Sequence, residues 1–229
     1  MIYENGLALK SSWITLLQQF QVSPKAGCKL LLDLVQAYSS GNRFYHTLEH
    51  VQGVLNSLDS LKHHTENLPA LQFAAWFHDV IYDTRAKDNE EKSAEYAGTA
   101  LNQLGVPSNI IDDVAQIILE TKHHQPTGNN RDSQIFIDAD LAILGADDTE
   151  YRFYAQKIQR EYSWMSPEQY REGRMAVLLD LLQRDKIYHT PEMAAKLEEK
   201  ARHNIRGELD IFGGKMGYCP FSQRREFAA

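Results

Sequence analysis

The dipeptide His78-Asp79 closes an otherwise apolar stretch. Leu68, Leu71, Phe73, Ala74, Ala75, Trp76, Phe77, Val80 and Ile81 leave that stretch almost no polar side. A helix apolar all round is a buried one. A carboxylate at its end is doubly disfavoured, by burial without a partner and by the helix macrodipole. A bound divalent cation resolves both problems, and the adjacent imidazole can share it. The plainer alternative is an Asp paired with an Arg and a His bonded to a carbonyl.

Three other stretches carry similar side chains. Residues 43–51 place His46 and His50 one turn apart, so both can face one site, with Arg43 just before them to meet an anion. Residues 120–124 end in Lys122-His123-His124. The dipole accounts for Lys122 and one His; the second is surplus. Residues 136–145 embed Asp138 and Asp140 in apolar sequence. One of the two suits an N-cap, and the other needs a cation. The order His, His-Asp, Asp supplies two imidazoles and two carboxylates. That mix suits Mn²⁺, Fe²⁺, Co²⁺ or Zn²⁺ and leaves coordination positions open, as catalytic sites do.

The elements that must position these groups read as helices. Trp13, Ile14, Leu16, Leu17 and Phe20 recur at helical spacing, and so do Leu48, Val51, Val54, Leu55 and Leu58. Ser23-Pro24, Ser166-Pro167 and Thr190-Pro191 are helix starts. Asp88 with Glu91 predicts a capping box. Ile110, Ile111, Val114, Ile117 and Ile118 line a helix that ends at Lys122, and Asp148 opens another, reaching about Tyr162. Only Gln134 to Ile137 hints at a strand. The expectation is an all-α chain of eight to ten helices, with the helix before His78-Asp79 among the most buried. A single domain is expected over 1–229, with its motif-bearing core at about 43–162, helices over 163–212 and an irregular tail from 213.

Bulk properties narrow the function. The net charge of −7 argues against nucleic acid as the main partner. No apolar run reaches the roughly 18 residues of a membrane span, and the N-terminus lacks signal-peptide character. Cys28 and Cys219 are the only two cysteines and lie far apart, which suggests a reduced, cytoplasmic setting.

Taken together, His46, His78-Asp79 and Asp140 on a helical chain resemble the HD-domain superfamily of metal-dependent phosphohydrolases. The words RFYHTLEHV, AAWFHDVIYD, TKHH and DADLAILG resemble a subfamily of small stand-alone HD phosphohydrolases, with matches from about Arg43 to Tyr162. The resemblance implies that His46, His78, Asp79 and Asp140 bind a divalent metal (Mn, Fe, Co, Mg or Zn). It prefers His46 over His50 and Asp140 over Asp138. His50, His123 and His124 match no ligand of the one-metal set; in two-metal branches such residues hold a second ion. The Glu found three residues after the HD Asp in nucleotidase branches is replaced by Tyr82.

The implied activity is hydrolysis of small phosphate esters, nucleotides among them, by a metal-activated water. Arg43 and Lys122 are candidates for binding phosphate. Asp83, His50 and the activated water are candidate bases. His50, His123 or His124 would protonate the leaving group or hold a second metal. At least one of these three is expected beside His78, and His63, His64, His189 and His203 away from it. The rival readings are a dinuclear iron oxygenase and a non-catalytic, ligand-binding HD module.

Overall fold

The computed structural model describes residues 2–213, with side chains from Gly6 onward. Ten α-helices and two 3₁₀ segments make up the ordered elements, and no strand occurs among the described residues. The helices are α1 (Ile2–Gln18), α2 (Pro24–Tyr38), α3 (Leu48–Leu61), α4 (Leu68–Phe77), α5 (Asn89–Gln103), α6 (Ser108–Thr121), α7 (Arg131–Asp140), α8 (Asp148–Glu161), α9 (Pro167–Gln183) and α10 (Pro191–Ile211). The expected irregular tail and Cys219 lie outside the described residues.

The expected caps form where Ser or Thr precedes Pro. Ser23, Ser166 and Thr190 accept from the N–H three residues on, and Ser166 with Gln169 closes a full capping box. The box expected at Asp88 does not form. Asp88 turns to Lys92 one turn on, at 2.9 Å, and Glu91 is drawn to Lys122. Gln134 to Ile137 is helix, not strand. Ile135, Phe136 and Ile137 are all fully buried, so the stretch has no solvent face to impose alternation. Neither Asp138 nor Asp140 starts this helix; Asn130 caps it.

α4 sits at the centre. Residues Phe73 to Phe77 are essentially inaccessible, and α4 packs against α3, α5, α6 and α7. Trp13 of α1 packs edge-on against Trp76 at 5.2 Å and donates to the Gly27 carbonyl at 2.9 Å, tying α1 and α2 to α4. The 3₁₀ segment Leu141–Gly145 lies against α10. A Cβ at Gly145 would stand 2.6 Å from the Leu197 Cβ, so only glycine lets the two come this close.

α7 illustrates how one helix serves two purposes. Residues two apart on a helix point about 200° apart. Asp138 therefore faces inward to α10, where it accepts from the Thr190 hydroxyl at 2.6 Å and from the His189 and Thr190 N–H groups, each at 2.7 Å. Burial pushes its carboxyl above the ordinary range, against the pull of these donors. Asp140 faces the other way, toward the histidines.

Candidate metal centre

α3, α4, α6 and α7 present their ends to one point. His50 lies in the first turn of α3, His78 caps α4 with Asp79 beyond it, His124 follows α6, and Asp140 ends α7. His50 Nε2 lies 2.9 Å from His78 Nε2 and 3.0 Å from Asp140 Oδ1. His78 Nε2 lies 3.0 Å from Asp79 Oδ2 and 3.5 Å from Asp140 Oδ1. His124 Nε2 approaches Asp140 Oδ2 at 3.2 Å. A cavity of about 50 Å³ is lined by all of these together with His46, Glu90 and Thr121.

The donor set fits a metal ion. Donors held ~2.1 Å from one ion lie about 3.0 Å apart at right angles and about 3.4 Å apart at tetrahedral angles. The separations among His50, His78 and Asp140, 2.9 to 3.5 Å, fall on that scale. The tautomer fits as well. His78 Nδ1 lies 3.2 Å from the Ala75 carbonyl, an acceptor only, so Nδ1 keeps its proton and Nε2 is the nitrogen a metal would take in exchange for a proton. His50, His78 and Asp140 form a group that could hold a metal ion.

Electrostatics tell the same story of opposed charges. Burial alone would depress His78, but Asp79 and Asp140 carry it well above its ordinary value. Burial lowers His50, aided by the neighbouring His78. Burial would raise Asp79 and Asp140, yet the surrounding imidazoles hold both below the usual carboxylate range. The pocket is built to keep its carboxylates ionised.

His46 lines the same cavity by a different route. Its Nδ1 meets Glu161 Oε2 at 2.7 Å, and its ring stacks on Tyr82 at 4.3 Å. Such a carboxylate–imidazole pair fixes the ring and leaves Nε2 as the available donor. Glu161 also accepts from the N–H groups of Phe44, Tyr45 and His46 at 2.7, 2.7 and 3.0 Å and from the Tyr82 hydroxyl at 2.8 Å. Burial opposes its charge, but His46 and these donors lower its carboxyl to about 2. Glu161 is thus the residue on which the loop into α3 is hung, and Tyr82 takes part in that anchoring.

The remaining candidates are placed as follows. Arg43, a candidate for phosphate, is buried and donates to the carbonyls of His46, Asp79 and Val80 at 3.2, 2.6 and 2.9 Å. It braces the chain around the cluster. Lys122, the other phosphate candidate, bonds Glu91 and the Lys87 carbonyl. Asp83, a candidate base, is exposed and closes its own loop through the Arg85 N–H at 2.9 Å. His123 is exposed, and neither it nor Asp83, Lys122 or Arg43 lines the cluster cavity. Of the three extra histidines, His50 and His124 join His78 there. His63, His64, His189 and His203 do not; His64 instead approaches Glu192 at 3.3 Å.

In comparisons with family models, with curated proteins and with solved structures, nothing matches this chain.

Glu161 and Arg184, which position the site, and Glu90, which lines its cavity, are participants that the sequence motifs omit. Arg184 donates to the carbonyls of His124 and His123 at 3.1 and 3.2 Å, while Asp180 orients its guanidinium at 2.9 Å. His124 has φ +46°, a left-handed conformation uncommon for a residue with a Cβ. The Arg184 grip holds it there. Glu161 did leave a signal: an acid at the last position of α8 is as ill-placed toward the dipole as Asp79. Arg184 left none, because its partners are carbonyls sixty residues away.

Proposed function

We propose that the chain is a metal-dependent phosphohydrolase of the HD superfamily, acting on small phosphate esters, nucleotides among them. The observation that carries this reading is the convergence of His50, His78 and Asp140 on one small cavity, with one possible ligand atom from each brought close together. Asp79, His46 and His124 stand around the same cavity. His46, His50, His78, Asp79 and Asp140 would hold the ion, with His124 beside them. When bound, it would lower the pKa of a water and polarise a phosphoryl oxygen.

The chain's own groups do the rest. Asp140 and Asp79 stay ionised and balance the cation's charge. Ala75 and Glu161 orient the rings of His78 and His46. His124, on the Asp140 oxygen away from His50 and His78, is the group that would give a proton to the departing ester oxygen. Asp83, turned to its own loop, is not given a role as base. The test is phosphate release from a panel of phosphate esters with Mn²⁺, Mg²⁺, Co²⁺ and Fe²⁺ in turn, alongside metal analysis. Metal-dependent release that His78→Ala and Asp140→Ala both lose is the expected result. No release with any of these metals would count against the reading.

One observation favours a second reading. His46, His50 and His124 exceed what a single ion with open positions needs, and a dinuclear iron oxygenase would employ them. Two irons per chain with oxygen consumption, and no phosphate release, would reverse the order.

A further inference from the structure

A second cavity, of about 500 Å³, opens beside the cluster. The two share Tyr45, His50, Asp140, Ile143 and Tyr154 as walls. A molecule seated in the larger one therefore lies against His50 and Asp140 of the cluster. Its volume lies within the range of roughly 300–1,000 Å³ of small-molecule sites.

The charges around it are matched. Apart from the cluster's own Asp140 and His50, the charged lining residues are Glu49, Glu150, Lys157 and Lys196. Lys157 is tied to Glu49 at 2.9 Å, and the remaining lining pair, Glu150 and Lys196, cancels in formal charge. The cations nearer the cluster are engaged as well: Arg43 on three carbonyls, Arg184 on two carbonyls and Asp180, Lys122 on Glu91 and a carbonyl. A phosphate monoester brings a charge of about −1.5 to −2, which an ion in the cluster can meet. Each further phosphate in a chain needs more positive charge, and protein sites supply it with Arg or Lys. Lys157, Arg43, Arg184 and Lys122 already hold carboxylate or carbonyl partners, and the charges of the lining, Lys196 included, leave no net positive charge.

The lining also has two characters. Along α3, Asn56, Ser57 and Ser60 give a polar edge; Ala142, Met193 and Leu197 give an apolar floor. Phe153, 59% exposed, offers a ring at the mouth.

Resting on the hydrolase reading, we propose that the site takes a single-phosphate ester with an uncharged body of mixed polarity, and discriminates against di- and triphosphates of the same body. In the reaction the water oxygen bonds to phosphorus and the ester P–O bond breaks. Its electron pair stays on the departing oxygen, which takes a proton. Monoester and water give a neutral alcohol and inorganic phosphate.

The experiment uses the Mn²⁺-loaded protein and paired mono- and diphosphates of adenosine, uridine and geraniol. Binding is measured by calorimetry and phosphate release by kcat/KM. For at least one body the monophosphate binds at least tenfold tighter than the diphosphate. Glu150→Lys, an exposed change, narrows that ratio at least threefold by leaving the cavity net positive. Diphosphate binding within tenfold of the monophosphate, or tighter, across all three bodies overturns the proposal, and so does failure of every monophosphate to bind. Selective binding with no phosphate release from any compound leaves the proposal standing and removes the hydrolase reading.

Discussion

Glu161→Gln is the change that tests the construction of the site most directly. The wild-type carboxylate gathers three backbone N–H groups, the His46 ring and the Tyr82 hydroxyl, with its side chain fully buried. Its carboxyl titrates at about 2 in the folded protein against an ordinary 4.5. A carboxyl depressed by that amount stabilises the fold by about 3 kcal/mol at neutral pH. The folded value is the lower one, so the stabilisation is complete above about pH 5. It fades as pH falls through 4.5 toward 2. The glutamine keeps one acceptor oxygen for the loop but sets an N–H₂ where the carboxylate accepted from His46 or Tyr82. The variant should lose about 3 kcal/mol at pH 7, a fall of about 6–12 °C in Tm for a chain of this size.

The assay is urea unfolding of both proteins in chelator at pH 7, 5 and 3. The other carboxylates titrate in both, so the difference between the two isolates Glu161. That difference should be near its maximum at pH 7 and 5 and shrink clearly by pH 3. A constant difference across the range, or none at pH 7, would refute the account of Glu161 as an ionised anchor. With the His46 ring no longer held, metal affinity should also fall about 10–100-fold, read by competition with a coloured chelator.

Asp79→Asn relieves a buried carboxylate in the metal-free protein and forfeits stabilisation by metal. Its Tm should match or exceed wild type in chelator and fall below it with excess metal; equal metal binding and activity would remove Asp79 from the ligands. Arg184→Ala should weaken metal binding by about as much as His124→Ala, and the double variant little more than either, because Arg184 acts through His124; additive losses, seen in titrations with Co²⁺ followed by its visible spectrum, would separate the two. Gly145→Ala sets a methyl 2.6 Å from Leu197 and should cost about 1–3 kcal/mol without changing metal stoichiometry; an unchanged melting curve would show that the Leu141–Gly145 segment can yield.

What the sequence determined by itself is what depends on neighbours along the chain. Helical spacing of apolar residues, Ser-Pro and Thr-Pro starts, and the burial of α4 are local or compositional signals, and they describe an all-helical chain. The anomaly of Asp79, an acid closing an apolar helix, is local too, so the place of the His and Asp cluster that could hold a metal is legible in the sequence. Among the described residues no helix is long and apolar enough to cross a membrane. The expected capping box failed because a neighbour one turn on took Asp88, and a partner 31 residues away took Glu91.

Only the tertiary structure decided how each side chain is used. Spacing could not tell whether His46 or His50 joins the tight group with His78 and Asp140. Both face one side of the loop and α3, and the outcome depends on Glu161, 115 residues on, holding His46 by its Nδ1. Arg43 precedes a histidine cluster, as a phosphate ligand would, yet three carbonyls brought together by folding take its N–H groups. Asp138 and Asp140 look alike in sequence; α10 on one side and the histidines on the other separate them. A buried charge takes the partner that packing brings within reach, and packing is a property of the whole chain.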